Sequence, residues 1–263
     1  MKLSLLANAG LLGLAAALLG REPPGHEYLR LPWYSRSPCP GLNVMANHGW
    51  LPRSGRDIDL ASLQHAVVGA FNYAPHAFDG AFQAAIDFNL STTGNPSTIH
   101  LADLAKHDAI EFDGSLSRND YALGDNLHFD PAIWHTVAQY LGLYRTGPSK
   151  ADKYVTVETA ARARAQRVRD AMRANPHFNA STNEMFGSPG TTALYLTTLW
   201  DDKADAAPKA WIRAFFEEER IPYREGYKAP QTQRGNDTIN AMFARVTAVP
   251  VSVKSRAVRL PLH

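Results

Sequence analysis

Apolar residues recur at helical spacing along most of the chain. From Asp59, "DLASLQHAVVGAFNYA" puts Leu60, Leu63, Val67 and Phe71 on one stripe, and "HAFDGAFQAAIDFNL" does the same with Phe78, Phe82, Ala85 and Ile86. Both segments predict helices with one buried face. "DPAIWHTVAQYLGLY" opens on an Asp130-Pro131 start signal, and the Ala/Arg-rich "VETAARARAQRVRDAMRANP" runs until Asn175-Pro176 stops it. "TTALYLTTLWDD" and "PKAWIRAFFEEERIP" add two more. No long stretch alternates in the manner of a half-buried strand, although "VTAVPVSV" near the C-terminus has the composition for a short one. The pattern predicts a mostly α fold, with turn-rich loops such as "STTGNPST", "DGSLSRND" and "FGSPGTT" between the helices.

The first twenty residues break this pattern. Lys2 precedes an uncharged apolar run that stops at Arg21, with small residues before the turn-rich "EPPGHEY". A basic start, a short apolar centre and small residues at its end predict a secretory signal peptide over 1–20. The run is at the low edge of what a spanning helix needs and contains Asn8, so no stable membrane insertion is expected after cleavage. Residues 21–263 then form one domain, because no repeat, low-complexity tract or linker divides them. The sequons at Asn89, Asn179 and Asn236 are compatible with glycosylation after export to the extracellular space, whereas Asn95 is followed by proline.

Charge narrows the partners. With 27 basic against 25 acidic residues spread along the chain, no basic stripe exists to hold nucleic acid. The single cysteine, Cys39, is odd for an exported protein, where cysteines usually pair as disulfides. An odd one implies pairing between chains, an inert buried thiol, or a thiol with a reactive role. Pro38 and Pro40 flank it, and Pro40 suits the first turn of a helix through Leu42, Val44 and Met45. The N–H groups of Gly41 and Leu42 can then stabilise a thiolate, which is either a metal ligand or a nucleophile. A nucleophile needs a base, for which His48, His65 and His76 are candidates, but no cysteine-hydrolase signature surrounds Cys39.

"SPCPGLNVMANHGWLPRSGRDI", followed later by "IEFDGSLSRND", "NPHF" and "TTALYL", resembles the fungal heme-thiolate peroxidases, the chloroperoxidase and unspecific peroxygenase family, over most of the chain. The modest length and single cysteine are similar to the short members. The resemblance implies a mostly α, compact heme-thiolate peroxidase fold and heme b held by Cys39 as axial thiolate, with Pro40, Gly41 and Leu42 shaping the ligand turn. An electron-rich thiolate favours O–O cleavage in a bound peroxide, which explains the choice of sulfur. His48 would serve as a structural histidine bonded to backbone. The resemblance also implies a magnesium (or manganese) ion at a heme propionate, held by Glu111, the Phe112 carbonyl and Ser115, an oxygen-only set suited to a hard cation. The competing reading of "DGSLSRND" is a polar turn capped by Asp113, with Arg118 pairing nearby.

Two positions depart from the family pattern. Phe112 stands where short members carry a histidine, and Thr191 where the distal glutamate is expected. Glu184, seven residues before Thr191, is a possible replacement acid if "GSPG" leaves the segment helical. Losing general-acid help costs about 10² to 10⁴ in rate, roughly 3 to 5 kcal/mol of barrier. Phe71, Ile110, Phe112 and Leu194 match positions that line the heme channel in relatives, so an apolar pocket for small hydrophobic or aromatic substrates is expected, with H₂O₂ as oxidant and a monomer or homodimer as the working form. The alternatives are a peroxide-independent heme-thiolate enzyme of a biosynthetic step and a non-catalytic heme binder.

Overall fold

The computed structural model describes residues 21–178 and 182–251, and the side chains of 182–188 fall outside that description. The expected leader at 1–20, the Asn179 sequon and the tail from 252 therefore lie outside the described residues. What is described is mostly helical: α1 (Pro40–Asn47), α2 (Leu60–Phe71), α3 (Asp79–Asp87), α4 (Pro131–Tyr140), α5 (Lys150–Lys153), α6 (Val157–Ala174), α7 (Thr182–Leu199), α8 (Lys209–Glu217) and α9 (Asn236–Thr247). One two-residue strand, β1 (Tyr154–Val155), pairs with another, β2 (Ala207–Pro208).

Local chemistry sets the helix ends. Asp59 caps α2 by accepting from Ser62 N, and Asn72 ends it in the left-handed region at φ 53°. Asp130 caps α4 through Ala132 N and Ile133 N, with Pro131 in the first turn, where its missing N–H costs nothing. Thr156 opens α6, and Asn175 closes it in extended backbone before Pro176.

Two compact units result, one from residues up to Asp103 with Pro208–Gly235, the other from Leu104–Ala207 with residues from Asn236 onward. In the first, α1 packs on α2 and α8, and α2 on α3. In the second, α9 lies along α7, and α6 packs against α4, α7 and α9. Alanines 160, 161, 163, 165 and 171 on α6 are buried, so its neighbours approach closely on small side chains.

Two sequence expectations change. "VTAVPVSV" does not begin as a strand: Val246 and Thr247 complete α9, because Met242 and Val246 share a buried helical face. The "GSPG" stretch does not break the chain out of helix, since α7 runs through Pro189. Proline removes one hydrogen bond of the ladder, and packing of the remaining turns outweighs that loss.

Candidate functional site

In the first unit Cys39 is the N-cap of α1, at φ −82° and ψ 111°, with Pro40 as the first helical residue. Its thiol is partly exposed and in no disulfide. A Cβ placed on Gly41 would stand 3.6 Å from Cys39 Sγ and 3.7 Å from Phe215 Cζ, so the sulfur sits over the first helical turn with an aromatic ring beside it. Leu42 is partly exposed on that turn. Phe71 is buried beside Phe215 and Tyr227, at ring separations of 6.4 and 6.2 Å.

Two of the three histidines nominated as bases are committed elsewhere. His48 Nε2 accepts from Ile221 N (3.1 Å), so Nδ1 carries the proton and donates to the His26 carbonyl (2.7 Å). Burial holds this imidazole below its usual pKa and in that neutral tautomer. His65 is exposed, and exposed His76 pairs with Asp79 at 2.8 Å. His48 is a structural histidine bonded to backbone, as expected.

In the second unit Glu111 is 8% exposed. Its Oε2 accepts from His107 Nδ1 at 2.7 Å, and His107 stacks on Tyr121 with ring centroids 4.8 Å apart. Asn126 Nδ2 donates to the Ala105 carbonyl and lies beside the carboxylate, whose Oε1 is buried and makes no hydrogen bond of good geometry. Burial raises the Glu111 pKa against the opposing His107 bond. Burial alone would lower that of His107, but its bond to Glu111 and the surrounding carboxylates raise it. No group of three or more His, Cys, Asp or Glu residues among the described residues is placed to hold a metal.

The loop that follows is held from below. Arg167 of α6 donates to the Ser115 carbonyl (2.9 Å) and to Asp120 Oδ1 (2.8 Å), both acid and base being buried. Asn175 donates to Asp113 Oδ2 and Asp120 Oδ2, and Asp120 Oδ1 also accepts from Gly114 N. Burial and the Asp120 charge push the Asp113 carboxyl above its ordinary range. Asp113 Oδ1 accepts from Tyr121 N, while buried Arg118 donates to Ser117 Oγ and the Leu127 carbonyl. Ile110, Phe112 and Ser115 are all partly exposed around this turn.

On α7 Thr191 is exposed and Leu194, three residues on, partly exposed. Glu184 belongs to the same helix seven residues before Thr191, hence on the same face, and its side chain lies outside the description. Tyr195 is buried, which drives its hydroxyl pKa upward. A groove of about 390 Å³ lined by Tyr140, Arg162, Ala163, Gln166, Arg169, Pro250 and Val251 involves none of the nominated residues.

Sequence reading missed His107, Arg167 and Asn175 as members of this site. The His107–Glu111 spacing of four was a visible signal, but Arg167 and Asn175 reach this loop across long separations that leave no local mark.

The model of the family described as "Peroxidase, family 2" matches residues 22–232. An aromatic peroxygenase of Coprinellus radians is 30% identical over 207 residues, 71% of this chain and 76% of that protein. An aromatic peroxygenase of Cyclocybe aegerita is 29% identical over 238 residues, 84% of this chain and 62% of its own length. A chloroperoxidase of Leptoxyphium fumago is 28% identical over 250 residues, covering 86% and 64%. The chain thus spans three quarters of the first relative and slightly under two thirds of the other two.

Proposed function

Because the chain belongs to the family 2 heme-thiolate peroxidases, we propose that it is a secreted peroxygenase that uses H₂O₂ to oxygenate small hydrophobic or aromatic molecules. The observation that carries this reading is Cys39 itself: the only cysteine of the chain, partly exposed, at the start of a helix opened by proline, with its sulfur over a glycine. That donor set fits a thiolate-ligated heme b. When bound, the heme supplies redox chemistry toward peroxide, with the thiolate's electron density favouring O–O cleavage.

The remaining roles belong to this chain's residues. With Pro40 opening the helix, the first-turn N–H groups of Gly41 and Leu42 would moderate the sulfur's donation. Glu111 would bind a hard cation through Oε1, the buried oxygen that His107 leaves open, with the Phe112 carbonyl and Ser115 hydroxyl completing an oxygen set suited to Mg²⁺ or Mn²⁺. In the second unit, Ile110, Phe112 and Leu194 would exclude water from the substrate. Glu184, on the same helical face as Thr191, is the acid available to move the peroxide proton, and Thr191 a hydroxyl able to hold a water. Exposed Asn89 and Asn236 suit glycosylation after export.

One observation favours a second reading. Exposed Thr191 and apolar Phe112 carry no acid of their own, which suits a heme-thiolate reaction without external peroxide. The absorption spectrum of the reduced, CO-saturated protein, followed by H₂O₂ titration of the ferric form, tests both. A CO band near ~450 nm, lost in Cys39→Ala, with a rapid peroxide response is the expected result. The band without a peroxide response selects the second reading or a heme binder, and absence of heme overturns the assignment.

A further inference from the structure

The segment after α8 meets α1 through side chains rather than through close apolar packing alone. Asn43 and Asn47, one turn apart on α1, both reach Glu219: Asn43 Nδ2 donates to its Oε1 (2.8 Å) and Asn47 Nδ2 to its carbonyl (2.9 Å). Glu219 is 1% exposed, and its other carboxylate oxygen faces Arg30 at 3.2 Å. Its backbone lies in the left-handed region at φ 47°, a conformation that favours glycine or asparagine. A buried carboxylate on strained backbone is an expensive way to make a turn.

The carboxylate has a line to the cysteine. Asn43 uses its whole amide: Oδ1 accepts from Ser37 N, and Nδ2 donates to the Ser37 carbonyl as well as to Glu219, each at 2.8 Å. Exchanging the amide oxygen and nitrogen would set donor against donor at Ser37 N and oxygen against oxygen at Glu219, so the Ser37 backbone and Glu219 together fix the amide's sense. Ser37 Oγ in turn accepts from Cys39 N at 2.8 Å. The backbone that delivers Cys39 to the helix start is thereby held from a residue 180 positions away.

We infer that Glu219 is a positioning residue for the Cys39 ligand, acting through Asn43 and Ser37 to hold the sulfur in its ligating orientation. The inference rests on the heme-thiolate reading. It separates from a turn-forming role because glycine relieves the backbone strain while removing the carboxylate, and glutamine keeps an acceptor for Asn43.

The test is the CO spectrum of reduced holoprotein and the heme dissociation constant for wild type, Glu219→Gly, Glu219→Asn and Glu219→Gln, with thermal midpoints on the same samples. The Asn variant tolerates positive φ and covers the case in which the Gly variant does not accumulate. Gly and Asn are expected to shift part of the thiolate-type band to shorter wavelength and to weaken heme binding about 10-fold or more, the scale at which partners of metal ligands act. Gln is expected to stay close to wild type. A Gly or Asn variant with an unchanged band and heme affinity, whatever its thermal midpoint, overturns the inference, as does a Gln variant as impaired as Gly. A wild type without a thiolate band overturns the heme-thiolate reading itself, and the inference with it.

Discussion

Gly69 stands inside α2, where alanine is ordinarily the better helix former by about 0.5 to 1 kcal/mol. Here sterics win, because a Cβ at Gly69 would lie 2.2 Å from Trp50 Cζ3. Trp50 has nowhere to retreat: its ring stacks on His26 at 3.4 Å and its Nε1 donates to the Tyr223 hydroxyl. Gly69→Ala should therefore destabilise by about 1 to 3 kcal/mol, measured by urea unfolding, instead of stabilising. His48 gives a pH effect at the same scale. Burial lowers its folded pKa, so the unfolded chain takes up the proton first, and stability is lost as pH falls from about 6.5 toward the folded value. Protonation must also displace the Ile221 N–H. The thermal midpoint should drop more steeply between pH 7 and 5 in wild type than in His48→Gln. Cys39 was legible at this scale because its neighbours in sequence are its neighbours in space: Pro40 and Gly41 build the helix start that holds the sulfur. Glu219 was not legible, since a single glutamate in "FFEEERIP" looks like a solvated acid until α1 covers it.

At the scale of elements, α6 carries arginines of two kinds. Arg162 pairs with Glu158 on an exposed face, with both side chains 63% exposed, whereas Arg167 pairs with fully buried Asp120. Arg162→Ala should cost no more than about 0.5 kcal/mol and Arg167→Ala about 3 to 5 kcal/mol, because only the second strands a buried charge. Chemical denaturation with matched slopes checks the contrast. The consequence reaches the loop above: Arg167 also holds the Ser115 carbonyl, so on the proposed cation site its loss should weaken Mg²⁺ binding, read by calorimetry, more than Arg162→Ala does. The periodicity marked α6 correctly as a helix but could not tell which arginines face inward, since Ala and Arg are both strong helix formers on either face. The same limit applies to α9, whose short apolar stripe at Met242 and Val246 becomes informative only against α7.

At the scale of the molecule, a cofactor that binds only the folded chain adds its binding free energy to stability. With free heme at 1,000 times its dissociation constant the gain is about 4.1 kcal/mol, so holoprotein should melt well above apoprotein. Cys39→Ala should shrink that gap, whereas an exposed change such as Arg162→Ala should leave it intact. A gap insensitive to Cys39 would remove the thiolate from the binding energy.

By itself, the sequence determined the mostly α class, the start of α4 at Asp130-Pro131, the stop of α6 at Asn175-Pro176, the helical setting of Cys39, and the family. These features follow from residues within one or two turns of each other, where propensity, capping and proline geometry act. Tertiary structure alone decided that α7 continues through Pro189, that His107 takes one oxygen of Glu111 and leaves the other open, and that Glu219, Asn43 and Ser37 form a line to the cysteine. Burial converts ordinary polar residues into committed partners, because a desolvated donor or acceptor must find a match wherever the fold brings one.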